Sequence, residues 1–288
     1  MGTSSAFGGQ GGGTPLVPSW LGSEGAPPAS HPVPMPPQVP SNAAPAPLPI
    51  PPLPPLANSN RFSSPRANFT RFVNSGGTDK RSMGRAVSGY VRSTTGGPGS
   101  AASRMGSARG ASNRLLSLLS DVVTHGPSVV LQRLNLGALA GRPIEEIFIG
   151  LADHVCPNGG SIDEGIAREA FIETITDLAG AGITDLDRLT EDQMYTVLEL
   201  YATNAIEARL CNDIGTNIVA LPSDAREAAR LEAQLNDFIR RGVADALTPI
   251  RNSSAELTSD AVHGFVDQLY TQAFDILQIM GDAEAGAI

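Results

Sequence analysis

The 288-residue sequence contains only two cysteines, Cys156 and Cys211, and only one lysine and one tryptophan. Two cysteines cannot form a multi-disulfide framework, and such a composition is typical of a reducing compartment. The longest apolar runs, such as residues 115–119, are far shorter than the ~18–20 residues that span a bilayer. The N-terminus lacks the basic start and apolar stretch of a secretory signal. These absences predict a cytoplasmic protein with no membrane segment.

Proline, glycine and charge are unevenly distributed. Sixteen of the 23 prolines lie in residues 1–60, and seven of the 31 glycines lie in the first 22 residues. Up to Arg114 the chain has ten basic and two acidic residues, a net charge of +8; the remainder has ten arginines and 27 carboxylates, a net charge of −17. This division predicts a disordered Gly/Ser- and Pro-rich arm (1–60), a basic segment with short helices (61–111) and an acidic all-helical domain (112–288).

The arm contains one apolar cluster and a proline-rich spacer. Residues 26–57 alternate proline with small and aliphatic residues, as in a polyproline II spacer of up to ~100 Å at ~3.1 Å per residue. The cluster consists of Leu16, Val17, Trp20 and Leu21. A lone tryptophan in a polar tail often anchors in a partner's pocket, so we predict that these four residues bind a partner. An incidental exposed cluster is the alternative.

Residues 61–92 interleave basic and aromatic side chains. The candidate contact residues are Arg61, Arg66, Arg71, Lys80, Arg81, Arg85 and Arg92, with Phe69, Phe72 and Tyr90. The pattern predicts two short helices separated at residues 75–77, with Thr78 or Asp79 capping the second. Docking on the acidic domain, or on a partner, is the favoured interpretation because the charges are complementary. Contact with nucleic acid, by phosphate neutralisation and base stacking, is the alternative.

From about residue 112 the apolar residues recur at spacings of three or four, as in amphipathic helices. Five such stripes begin at Ile144, Ala167, Met194, Leu231 and Val262. Ser161 with Glu164, and Thr190 with Gln193, have the spacing of capping boxes at helix starts. The sequence therefore predicts an all-α helical bundle.

Candidate catalytic and metal-binding residues are few. The possible zinc ligands are His154, Cys156, Cys211 and His263, but they come from three segments and have no CxxC or HxxxH spacing. Asp121 and His125 lie one helical turn apart, with no nucleophile placed beside them by the sequence. We therefore predict no catalytic residues, no metal site and no cofactor.

Several longer segments carry a family resemblance. They are GTSSAFGGQGGGTPLVPSWL (2–21), RANFTRFVNSGGTDKRSMGRAVSGYV (66–91), LGALAGRPIEEIFIGLADHVCPNGGSIDEGIAREAFIETI (136–175), IEARLCNDIGT (206–216) and LNDFIRRGVADAL (235–247). Together they resemble the QatB family, accessory proteins of bacterial Qat anti-phage defence cassettes. The resemblance implies a non-enzymatic adaptor whose partners are a QueC-like enzyme, an ATPase and a TatD-like nuclease of the same cassette.

The implied QueC-like partner suggests a role for the arm. QueC-type enzymes use ATP to join an amine to a 7-deazaguanine carboxylate, so by analogy the amine could be that of Gly2 after removal of Met1. An α-amino group of pKa ~7.7–8.0 is roughly 10% neutral at pH 7, whereas a lysine near 10.4 is about 0.04% neutral. We therefore predict that the arm is presented to this enzyme, either as a modification substrate at Gly2 or as a docking peptide.

Overall fold

The computed structural model describes residues 60–94, 96–157, 159–215, 225–253 and 259–287, without the side chains at 253, 259 and 260. The predictions for the arm, including those for Gly2 and for the cluster Leu16, Val17, Trp20 and Leu21, lie outside the described residues.

Within the described ranges every regular element is helical, which confirms the all-α prediction. The α-helices are α1 (Ser63–Asn74), α2 (Lys80–Ser93), α3 (Pro98–Ser103), α4 (Gly106–His125), α5 (Pro127–Arg133), α6 (Ile144–Val155), α7 (Ile162–Gly180), α8 (Glu191–Leu210), α9 (Ala225–Ser253) and α10 (Ser259–Gly286). Short 3₁₀ turns occupy Gly137–Leu139 and Leu186–Arg188, and a π-helical turn, Cys211–Gly215, follows α8 directly.

Local hydrogen bonds begin the helices at the predicted residues. The Ser161 hydroxyl accepts from the Glu164 backbone N–H while the Glu164 carboxylate accepts from the Ser161 N–H, forming the capping box of α7. Thr190 and Gln193 form the same arrangement at the start of α8. Of the two candidate caps for α2, Asp79 is the one that accepts from the backbone of the first turn. Each cap satisfies N–H groups that have no partner within the helix.

The five predicted apolar stripes face the interior of the bundle, since the residue that begins each of them is buried. Helix α8 packs against α4, α7 and α9, and α10 packs against α2, α3, α4 and α9. No helix in the described part of the chain is both long enough and apolar enough to cross a bilayer.

The basic segment packs in the same hydrophobic core as the acidic helices. Phe72 of α1 and Tyr90 of α2 are fully buried, and the Tyr90 ring lies 6.5 Å from that of Phe274 on α10. Helices α2 and α10 approach closely where two glycines meet, because a Cβ on Gly84 would lie 2.6 Å from the carbonyl oxygen of Gly281. The predicted boundary between residues 111 and 112 falls inside α4, so the structure does not divide the bundle there.

Candidate functional site

The π-helical turn after α8 places the carboxylate of Asp213 in the interior, with its side chain 9% exposed. Its Oδ2 accepts hydrogen bonds from the Tyr90 hydroxyl at 2.9 Å, from Arg104 Nη2 at 2.9 Å and from Arg209 Nε at 3.2 Å. The backbone carbonyl of Asp213 also accepts two hydrogen bonds from the Arg66 guanidinium, at 2.9 and 3.1 Å. The carboxylate is therefore compensated by two arginines and a phenol.

These contacts tie the basic segment to the end of α8. Arg209 also forms an ion pair with Asp163 in the first turn of α7. Burial, followed by the charge and hydrogen bond of Asp213, raises the pKa of Tyr90 to about 12, so the phenol retains its proton and donates. We call the side chains of Asp213, Tyr90, Arg104 and Arg209 the Asp213 network.

Beside the same turn, α1, α7, α8 and α9 enclose a cavity of about 820 Å³. Part of the lining of this cavity is apolar. It is formed by Phe69, Phe72, Val73, Leu231 and Leu235. Alanines on α8 and α9 line other parts of it, and such small side chains leave space. We call this space the acidic cavity because carboxylate side chains form much of the rest of its lining.

The lining of the acidic cavity also includes six carboxylates. They are Glu169, Glu173, Asp177, Glu207, Glu232 and Asp237. Among the described residues that line the cavity there is no lysine or arginine. The cavity therefore combines an apolar surface with a concentrated negative charge that has no cation in its lining.

Two asparagines order part of the acidic lining. Asn204 Nδ2 donates to Asp177 Oδ2 at 2.9 Å and to Thr174 Oγ1 at 3.4 Å. Asn236 Nδ2 donates to Asn204 Oδ1 at 3.2 Å and to Glu207 Oε2 at 2.6 Å. An amide nitrogen has two protons, so both donors are fully used. The second Glu207 oxygen, Oε1, accepts no hydrogen bond from the described residues, and it is not among the buried atoms without a partner, so it is accessible to solvent.

The surroundings of Glu207 disfavour its negative charge. Burial raises the pKa of this carboxyl to about 7, in spite of the hydrogen bond from Asn236, and the charges of Glu232, Asp177 and Glu173 act in the same direction.

The pKa of the Cys211 thiol is also raised, to about 12, first by burial and then by the negative charges of nearby glutamates. This thiol remains protonated near neutral pH and does not supply a thiolate nucleophile. Within the described ranges, no group of three or more His, Cys, Asp or Glu side chains is arranged to hold a metal ion.

The structure places the predicted aromatic contact residues in or near the core. Phe72 and Tyr90 are fully buried, so they cannot stack on nucleic-acid bases in this fold. Phe69 is half-buried and lines the acidic cavity. The helical spacing of these aromatics is explained by packing.

Most of the predicted cations contact this chain. Three of them donate hydrogen bonds: Arg66 to the Asp213 carbonyl, Lys80 Nζ to Gln234 Oε1 at 2.6 Å, and Arg81 Nε to the Ala287 carbonyl at 2.5 Å. Arg92 forms an ion pair with Asp282. The guanidinium of Arg61 lies 4.6 Å from the centre of the Phe62 ring. Arg71 and Arg85 are exposed. Contact of the basic residues with nucleic acid or with a partner stays a prediction.

No sequence pattern marks Asp213 or Glu207 as a functional residue. Both lie in the segment 206–216, which was noted for its resemblance alone. A carboxylate in a helical sequence usually lies on a solvated face, so nothing local distinguished these two.

Comparison with known proteins supplies the family. Residues 96–277 match the family model described as Qat anti-phage system associated protein QatB. The chain belongs to the QatB family. The match includes Asp213, Glu207 and the parts of α7, α8 and α9 that line the acidic cavity, whereas α1 and α2 precede it. Membership of the QatB family makes the protein an accessory component of the Qat anti-phage system. No curated protein and no solved structure matches the chain.

Proposed function

We propose that this member of the QatB family is a non-enzymatic adaptor that binds other proteins of its defence cassette through the helical bundle. The observation that supports this most is the acidic cavity, which combines an apolar surface with six carboxylates. Protein-binding sites commonly join an apolar centre to polar groups that set orientation and specificity. The thiol in the lining keeps its proton, which favours binding over nucleophilic chemistry.

The proposed partners are the QueC-like enzyme, the ATPase and the TatD-like nuclease of the cassette. The net charge of −17 after Arg114 would attract a partner with a basic surface and speed the encounter. Such attraction weakens as salt is added, so association should be salt-dependent.

The decisive test is co-expression of the full chain, carrying a C-terminal tag, with these three proteins. We expect at least one of them to co-purify and to elute with this chain as a complex of defined mass. The matched control is the same tag on an unrelated acidic protein. Elution of this chain alone at low and at moderate salt would contradict the adaptor proposal.

We further propose that the arm is presented to the QueC-like enzyme, with Gly2 as the modified residue and Trp20 in its docking cluster. The test is the mass of the N-terminal peptide from cells with and without the QueC-like enzyme. We expect a mass gain that depends on the enzyme and is lost in Gly2→Pro. An unchanged peptide would remove the modification and leave the adaptor proposal standing.

A further inference from the structure

The carboxylates of the acidic cavity lack a compensating group. At Asp213 two arginines fulfil this role, but the lining of the cavity provides only the amides of Asn204 and Asn236, whose donors are fully used. Glu207 is only 9% exposed, and its Oε1, which has no donor among the described residues, remains accessible to solvent. A buried carboxylate without a full set of partners is costly, so a donor that enters the cavity would relieve a cost already present.

The apolar part of the cavity lining limits which kinds of molecule can bind there. The cavity volume of about 820 Å³ lies within the ~300–1,000 Å³ range of binding pockets. A small hydrated cation would leave Phe69, Leu231 and Leu235 uncovered. An occupant that matches both the carboxylates and the apolar lining needs a cationic group on an apolar stem, with apolar residues next to it. An arginine or lysine within an apolar peptide segment has these features.

We infer that the acidic cavity receives a segment of a partner protein in which an arginine or lysine, flanked by apolar residues, pairs with Glu207 and its neighbouring carboxylates. This inference rests on the proposed adaptor function and specifies which kind of partner segment binds.

Charge complementarity favours another protein over this chain's own arm. Residues 1–59 contain no lysine or arginine, so the arm has no cationic side chain of this kind. In the basic segment, Arg66 and Arg104 bind Asp213 and Arg92 binds Asp282. Arg71 and Arg85 remain exposed on a second copy, so the test below includes self-association among its outcomes.

Site-specific cross-linking of the full chain tests the inference. A photoreactive amino acid would replace Ala229, an exposed lining residue, in cells that express the whole cassette. We expect the cross-linked peptide to come from another cassette protein and to contain an arginine or lysine beside apolar residues. We also expect the yield to fall at least about tenfold in the double variant Glu173→Lys, Glu232→Lys, because both exposed side chains then repel a cation.

A matched control separates this effect from net charge. The double variant Asp187→Lys, Asp275→Lys makes the same change in charge on exposed helical surface outside the cavity lining, and it should keep the cross-link. Unchanged circular dichroism and thermal unfolding would show that both variants fold.

The inference is overturned by an absent cross-link, a cross-link to this same chain or a second copy, a partner peptide without a cation, or a yield that survives Glu173→Lys, Glu232→Lys. If the wild-type chain still co-purifies with cassette proteins in any of these cases, only the inference fails. If it does not co-purify, the adaptor proposal fails as well.

Discussion

Asp213 and Glu207 lie six positions apart at the C-terminal end of α8, and their surroundings are opposite. Both side chains are largely buried. Two arginines and a phenol surround the first carboxylate, whereas one asparagine and three other carboxylates surround the second. The pKa of Glu207 is raised to about 7 as a result.

This contrast shows how one helix end can serve two purposes. The Asp213 carboxylate is compensated, because Arg104 of the basic segment and Arg209 of α8 both donate to it, although Arg104 Nε is buried without a partner. Tyr90 of α2 and Arg66 of α1 also bind Asp213, which fastens both helices to the bundle. The acidic cavity is electrostatically incomplete, because none of the described cations lines it. A compensated buried carboxylate is costly to disrupt, whereas an uncompensated one lowers stability and favours binding.

Removal of the central carboxylate should have the largest effect. In Asp213→Ala the arginines 104 and 209 and the Tyr90 phenol lose a shared acceptor in a buried site. We expect a loss of about 3–5 kcal/mol in the free energy of unfolding, measured by urea denaturation. The control Asp153→Ala removes a carboxylate that is 77% exposed, and it should cost less than about 1 kcal/mol. Equal losses of unfolding free energy in Asp213→Ala and Asp153→Ala would show that the contacts of Asp213 add no particular stability.

Neutralising Glu207 should increase the free energy of unfolding, which is opposite to the effect expected for Asp213→Ala. Because folding raises the pKa of Glu207 from 4.5 to about 7, the wild-type fold loses stability as pH rises through this interval. Glu207→Gln stays neutral and keeps an acceptor for Asn236, so near pH 8 it should be more stable than the wild type by up to about 3 kcal/mol.

The difference should shrink as pH is lowered towards about 4.5, because Glu207 is then protonated in the wild type too. Glu173, Asp177 and Glu232 face the same site and are present in both proteins, so the difference isolates Glu207. Thermal unfolding across this pH range would measure it, with Glu145→Gln on α6 as the control. A difference that does not vary with pH would refute the assignment.

The smallest effect should come from the phenol. Tyr90→Phe keeps the packing of the ring but removes the hydroxyl that donates to Asp213 Oδ2 at 2.9 Å, while both arginines remain. We expect a loss of about 1–2 kcal/mol in chemical denaturation. Tyr195→Phe is the matched control, because Tyr195 is only 3% exposed and the structure describes no hydrogen bond of its hydroxyl. A loss no greater than in the control would show that the arginines alone close the network.

Much of the secondary structure was predictable from local patterns. The stripes beginning at Ile144, Ala167 and Met194 are buried, and the capping boxes at Ser161 and Thr190 form as expected. These signals are local because a helix hydrogen-bonds within itself and buries one face. Composition placed Phe72 and Tyr90 among the contact residues of the basic segment, and the structure buries both in the core.

The candidate site depends on tertiary structure. Asp213 forms hydrogen bonds with Tyr90 and Arg104, which are 123 and 109 positions away in the sequence. Glu207 forms one with Asn236, 29 positions away. No local pattern distinguishes a carboxylate that will meet arginines from one that will meet other carboxylates.

The sequence by itself determined the helical class, the helix starts and the charge division, because each depends on neighbouring residues or on composition. The tertiary structure decided which carboxylate is compensated and which is not. Charge interactions in a low-dielectric interior act over a few ångströms, and only folding determines which side chains come that close.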